Sequence, residues 1–229
     1  MPVPAIVPYR NLFVTGTDTS VGKTVAATAL VHRLRLEGLR VAGMKPVASG
    51  CERTPDGLRN EDALALLAAS EPQPDYADVN PYALEIPTAP QLAARAAGVR
   101  VDPGVLHAAH GRLAARADVV IVEGAGGWLA PMDDGLDQGD FARALDAWVV
   151  LVVGLRLGCL SHARLSARAI LADGFKLAGW IGNTVDPAFA ERDAYVELLR
   201  DALPAPCLGV LPFAPGADPA HMAESLALP

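Results

Sequence analysis

Phe13-Val-Thr-Gly-Thr-Asp-Thr-Ser-Val-Gly-Lys-Thr24 opens as a short apolar run, breaks into a loop bounded by glycines and ends in Gly22-Lys23-Thr24. This is the pattern of a phosphate-binding loop between a strand and a helix. Backbone N–H groups at a helix N-terminus cradle phosphate oxygens, a lysine reaches the outer phosphates and a hydroxyl ligates magnesium. Lys23 and Thr24 supply the lysine and the hydroxyl. The flanks agree, because residues 12–14 are strand-like and residues 25–36 carry helical apolar spacing. Five residues separate Gly16 from Gly22, one more than in the common form of the motif, so Thr17 takes the first glycine's place. The loop therefore indicates nucleotide phosphates without choosing the nucleotide or the reaction.

Outward from this loop, apolar runs recur at residues 40–47, 119–122, 147–154, 177–183 and 207–212. Between them lie helical patterns at 60–69, 91–97, 103–117, 139–145, 161–172 and 187–202. Residues 70–90 are rich in proline and read as a long covering loop with one turn of helix. Strands alternating with helices imply right-handed crossovers and an α/β fold. The fold predicted is a P-loop NTPase-type, mostly parallel sheet with helices on both faces, as a single domain over residues 1–229. In such sheets ligands bind beyond the carboxyl ends of the strands. That rule gathers the loop at 16–24, the loop at 45–50, Glu123 to Gly127, Asn183 and Pro212 onto one edge.

The chain has 229 residues, about half of them apolar (52%), and a net charge of −7 without a basic stripe. A single core is affordable at this size, and neither nucleic acid nor an anionic membrane is the expected partner. The apolar run at 147–153 is too short to span a bilayer. The first ten residues lack a charged leader and a sustained apolar core, so no secretory signal is expected. Cys51, Cys159 and Cys207 have no metal-ligand or redox spacing. A cytoplasmic protein is expected.

Only three of the nineteen basic residues are lysines, Lys23, Lys45 and Lys176. A chain that otherwise uses arginine, yet keeps lysine at 23 and 45, suggests sites that want a compact point charge. Lys45 follows an apolar strand, precedes Pro46 and faces the same edge as the loop. Two ammonium groups there would stabilise a transferring phosphoryl. Glu123 ends a run of β-branched residues before Gly124-Ala125-Gly126 and suits a magnesium ligand beside Thr24. Asp62, in the first turn of a helix, is a weaker candidate, because acids stand there for the helix dipole too. The five histidines are dispersed, and no hydrolase triad is supported.

Several stretches together resemble the dethiobiotin synthetase family of biotin biosynthesis. They are Gly16-Thr-Asp-Thr-Ser-Val-Gly-Lys-Thr24, Gly43-Met-Lys-Pro-Val-Ala-Ser-Gly50, Arg59-Asn-Glu-Asp62, Val79-Asn-Pro-Tyr82, Val122-Glu-Gly-Ala-Gly-Gly-Trp128, Leu157-Gly-Cys159 and Ala178-Gly-Trp180. The resemblance covers nearly the whole chain. It implies an ATP- and magnesium-dependent ligase that condenses carbon dioxide with 7,8-diaminononanoate through a carbamate and a carbamic-phosphoric anhydride, releasing ADP and phosphate. By resemblance Lys45 and Lys23 are catalytic, and Thr24, Asp62 and Glu123 hold magnesium. Ser20, Val21, Gly22, Lys23, Thr24 and Val25 with Glu123, Gly124, Ala125 and Gly126 line the phosphates. Asn183, Thr184, Pro212, Phe213 and Ala214 surround the adenine. Thr19 and Ser49 contact the diamine, and Ser161 lies where its carboxylate binds near the neighbouring subunit of a homodimer.

Three positions depart from the family pattern: Ser20 where an acid is common, Gln91 where histidine is more familiar, and Ser161 in place of asparagine. One rival is a partitioning or septum-placing ATPase of the same fold. Those carry a signature lysine five residues before the loop lysine, where this chain has Asp18. A second rival, an amidotransferase-type synthetase, would need a glutaminase domain for which the chain has no room.

Overall fold

The computed structural model describes residues 8–228. The reading of the first ten residues therefore falls largely outside the described residues. Strand β1 (Asn11–Gly16) is buried from Leu12 onward and leads through the phosphate loop into helix α1 (Lys23–Leu36). Gly22 caps that helix at φ 86, a left-handed conformation that favours glycine. A Cβ there would also meet Asn183 Nδ2 at 2.0 Å, so two independent constraints exclude a side chain.

Strand β2 (Val41–Met44) ends immediately before Lys45. A short β3 (Val47–Ala48) and the hairpin of β4 (Glu52–Thr54) and β5 (Gly57–Arg59) follow. Helix α2 (Glu61–Ala69) is capped by Asn60, whose side chain accepts from the Ala63 N–H. The proline-rich stretch holds one helical turn, α3 (Tyr76–Val79), and β6 (Tyr82–Ala83), which pairs with β3. Helices α4 (Pro90–Ala97) and α5 (Pro103–Ala114) both begin at proline.

Strand β7 (Val119–Gly127) runs further than its β-branched core, continuing through the small residues Gly124 to Gly127. Gly127 pairs with Gly16 after a register shift, which small residues permit. Next come the hairpin β8 (Pro131–Asp133) and β9 (Leu136–Asp137), helix α6 (Gln138–Ala144) and strand β10 (Trp148–Leu155). Helix α7 (Cys159–Ala172) starts two residues before the predicted Ser161, because Gly158 takes a left-handed cap at φ 94. After β11 (Leu177–Thr184), helix α8 (Arg192–Ala202) starts later than predicted: Asp186 accepts from the Ala188 N–H and closes a separate turn. Strand β12 (Cys207–Leu211) and a short α9 (Pro219–Ala223), capped by Asp218, complete the order.

The main sheet is wholly parallel with strand order β12-β11-β10-β1-β7-β2. Its strands alternate between two cores. Leu12, Val14, Ile121 and Val150 face α1, α2 and α9. Phe13, Val122, Val149 and Leu151 face α5 to α8. The chain leaves β1 toward β2 on one side and returns to β10 on the other, so the order reverses at β1, where a binding crevice forms beyond the strand ends. Among the described residues no helix is long and apolar enough to cross a membrane.

Candidate active site

The phosphate loop is tied down from three sides before any ligand is considered. Lys23 Nζ donates across the loop to the Asp18 carbonyl at 2.9 Å. Asn183, at the end of β11, donates to the Val21 carbonyl at 3.0 Å. Arg156, beyond β10, meets Asp18 Oδ2 at 2.8 Å. Val21 itself is buried, so its part in the loop is played by its backbone. Ser20 stands at φ 58, uncommon for a residue with a Cβ. Burial, followed by repulsion from Lys45, lowers the Lys23 ammonium from its ordinary value to about 8.

Lys45 and Glu123 are both almost wholly enclosed. Lys45 Nζ lies 2.6 Å from Glu123 Oε1 and 2.8 Å from Asp62 Oδ2, and Thr24 Oγ1 donates to the same Glu123 oxygen at 3.0 Å. Thr24, Lys45 and Glu123, which sequence put on the strand edge, and Asp62, which it put in the first turn of a helix, are thus one hydrogen-bonded cluster. Burial pulls the Lys45 ammonium down, but its two carboxylate partners outweigh this and hold it above the ordinary lysine range. Burial pushes the Glu123 carboxyl up against the pull of Lys45, with the Asp62 charge adding. Burial opposes ionisation of Asp62 as well, yet Lys45 holds its carboxyl below the usual range.

Glu123 Oε2 is buried and has no hydrogen-bond partner, which is costly for a carboxylate oxygen unless a cation or a ligand faces it. Two carboxylates and a hydroxyl form a hard oxygen donor set that suits a cation keeping several waters. No group of three or more His, Cys, Asp or Glu side chains gathers for a metal among the described residues. A hydroxyl and two carboxylates are oxygen donors of the kind magnesium takes.

Two supports were missed in the sequence. Gln138, fully buried at the start of α6, accepts from the Ala125 N–H at 2.9 Å and donates to the carbonyls of Ala125 (2.6 Å), Gly127 (2.8 Å) and Ala130 (3.1 Å). It knits together the loop that follows Glu123. A Cβ on Gly124 would come within 2.0 Å of Gln138 Oε1, which explains the glycine. Asn80 is the other support, donating to the Lys45 carbonyl at 2.7 Å. Asn80 lies in the family stretch Val79-Asn-Pro-Tyr82, though no role was read for it, while Gln138 carried no signal beyond a polar residue between apolar runs.

The remaining predicted residues spread along the same edge. Thr19, Ser20 and Val25 are exposed, and Ser49 is half-buried after β3. Ser161 is exposed in the first turn of α7, and Arg156 links the segment before that helix to the phosphate loop. Thr184 is buried with its hydroxyl unpartnered. Pro212 and Phe213 are exposed after β12, and Pro212 lines a cavity of about 440 Å³ with Val196, Val210 and Ser225. Gln91 donates to Asp134 at 2.6 Å and so joins α4 to the β8–β9 hairpin.

Comparison with known proteins follows the same lines. A family model described as an AAA domain matches residues 10–221. The chain is 56% identical over 221 residues to the ATP-dependent dethiobiotin synthetase BioD of Xanthomonas euvesicatoria pv. vesicatoria, covering 96% of this chain and 99% of that protein. It is 55% identical over 215 residues to the protein of the same name from Xylella fastidiosa, covering 93% and 95%. Among solved structures, the MinC:MinD cell division complex of Aquifex aeolicus aligns with a TM-score of 0.56 at 16% identity, covering 95% of this chain and 87% of that one. The GDP complex of the signal recognition particle receptor FtsY from Elizabethkingia anophelis aligns at 0.52 and 17%, with this chain spanning 65% of its length. Those two share the fold. The identities over nearly full length show more: this chain belongs to the ATP-dependent dethiobiotin synthetase family.

Proposed function

We propose that the chain closes the cyclic urea of dethiobiotin from 7,8-diaminononanoate and carbon dioxide, using ATP and releasing ADP and phosphate. The observation that carries this reading is the enclosed cluster of Lys45, Glu123, Asp62 and Thr24 beside the phosphate loop. It supplies a fixed positive charge and a hard oxygen set where a phosphoryl group would be transferred.

An amine nitrogen of the diamine attacks carbon dioxide and loses a proton, giving a carbamate. A carbamate oxygen then attacks the γ-phosphorus of ATP with loss of ADP. The second amine attacks the carbonyl of the resulting anhydride, and phosphate leaves. Only the neutral amine is a nucleophile, and the Lys23 and Lys45 ammonium groups disfavour its cationic form. Lys45 holds the carbamate oxygen against the phosphoryl group, and Lys23 leaves the Asp18 carbonyl for the phosphates. Thr24, Asp62 and Glu123 would hold magnesium, which when bound supplies Lewis-acid charge to phosphate oxygens.

Ser20 to Val25 and Glu123 to Gly126 wrap the phosphates, while Asn183, Thr184 and Pro212 to Ala214 face the base. Thr19 and Ser49 face the diamine. Its carboxylate goes to the N-terminal turn of α7, Gly158 to Ser161, in the neighbouring subunit of a homodimer, where N–H groups and helix dipole favour an anion. The chain works as one unit in the cytoplasm. Supplied with ATP, magnesium, diamine and labelled bicarbonate, the protein is expected to place the label in the ring carbonyl. ATP turnover with no label in a ureido product would contradict the proposal.

A further inference from the structure

Lys45 and Asp62 sit on separate elements, yet their charged atoms must meet at 2.8 Å. The backbone on each side is held by the same helical turn, α3. The Lys45 N–H donates to the Val79 carbonyl at 2.7 Å, and the Lys45 carbonyl accepts from Asn80 Nδ2 at 2.7 Å. Both main-chain groups of Lys45 are thus engaged by consecutive residues. Asn80 is buried, and its amide also reaches the Tyr82 carbonyl at 3.2 Å. The Tyr76 hydroxyl donates to Asn80 Oδ1 at 3.1 Å and accepts from the Asn60 N–H at 2.9 Å.

Asn60 is the residue that caps α2, two positions before Asp62. One continuous chain of hydrogen bonds therefore runs from the Lys45 carbonyl through Asn80 and Tyr76 to the helix start that carries Asp62. The chain is braced from outside as well. The Arg59 guanidinium lies 4.2 Å over the Tyr76 ring, and Asp78 pairs with Arg112 of α5 at 2.7 Å. Among the described residues the side-chain hydrogen bonds of Tyr76 and Asn80 go to Asn60, Lys45, Tyr82 and each other, so their reach into the site goes through the two backbones.

We infer that Tyr76 and Asn80 are positioning residues that set the register between Lys45 and Asp62. They do so by bracketing the Lys45 main chain against the cap of α2. The inference rests on the proposed reaction, in which Lys45 meets the carbamate and the transferring phosphoryl. Loosening the bracket removes no charged group but lets Lys45 Nζ wander, and small misplacements of a catalytic charge are expensive in rate.

The test is a double-mutant cycle of Tyr76→Phe with Lys45→Ala, read as kcat and KM for ATP with a melting temperature for each variant. Lys45→Ala is expected to lower turnover roughly 10²-fold, as loss of a transition-state charge donor does. Tyr76→Phe is expected to lower kcat about 10-fold with KM for ATP within about twofold, and to act less than about twofold once Lys45 is alanine. A residue that merely supports the fold would cost the same factor in both backgrounds. Equal losses in the two backgrounds, or no loss in the parent background, overturn the inference. Asn80→Ser, whose side chain is too short to reach both partners, goes through the same cycle with the same expected non-additivity, so misfolding of one variant does not spare the inference. A parent protein that makes no ureido product would instead overturn the proposed reaction, whatever the cycle shows.

Discussion

Lys23 and Lys45 stand on one edge, but their surroundings push them in opposite directions. Lys45 has two carboxylates within hydrogen-bond distance and keeps its proton. Lys23 has only a carbonyl for a partner, and burial, followed by the neighbouring Lys45 ammonium, lowers its value to about 8. Affinity for a non-hydrolysable ATP analogue is therefore expected to decline as pH rises through about 8, because the free protein loses the Lys23 charge there. Stability takes the other sign. Between about 8 and the ordinary lysine value of 10.5 the unfolded chain binds the proton and the folded one does not, so this group makes stability rise with pH. Titration calorimetry across pH 7 to about 9.5 checks the binding limb, and an affinity independent of pH over that range would contradict it. Both lysines were legible in the sequence because so few lysines occur in it. The Asp18–Arg156 pair was not, since its partners lie far apart in the chain and neither belongs to a recognisable motif.

At the scale of elements, the parallel strands and their helices were readable because each is long enough to show a period. The two hairpins and α9 were not, being only a few residues long and specified by turn chemistry or a side-chain cap, whereas the single helical turn expected in the proline-rich stretch is α3. Asp218 caps α9 in this way. The loop after Glu123 shows the same limit. Its glycines were visible, but the reason for them, Gln138 packed against Gly124, lies on the next helix. Gln138→Leu leaves the Ala125 N–H without that partner, while the carbonyls it met belong to half-buried residues and the Gly127 carbonyl keeps the Ala130 N–H, a loss of about 2–3 kcal/mol in all. A fall of roughly 5–10 °C in Tm is expected for a chain of this size. Calorimetric scanning checks it, and a Tm within about 1 °C of the parent would show that the loop is held without Gln138.

For the molecule as a whole, the parallel sheet with its reversal at β1 explains why one edge can serve two substrates. The phosphate loop leaves β1, Lys45 leaves β2 and Glu123 leaves β7, so the three strands on one side of the reversal deliver the charged cluster. On the other side, β10, β11 and β12 deliver Arg156, Asn183 and Pro212. The MinC:MinD cell division complex shares this fold, and fold alone does not separate a nucleotide switch from a synthetase. What separates them here is the site. Asp18 occupies the position of the signature lysine, its carbonyl holding Lys23 and its carboxylate holding Arg156. The most direct test is to give the purified protein ATP, magnesium, bicarbonate and 7,8-diaminononanoate, and to measure phosphate and ureido product together. The account predicts equal amounts of the two and no phosphate without the diamine; ATP hydrolysis that ignores the diamine would contradict it.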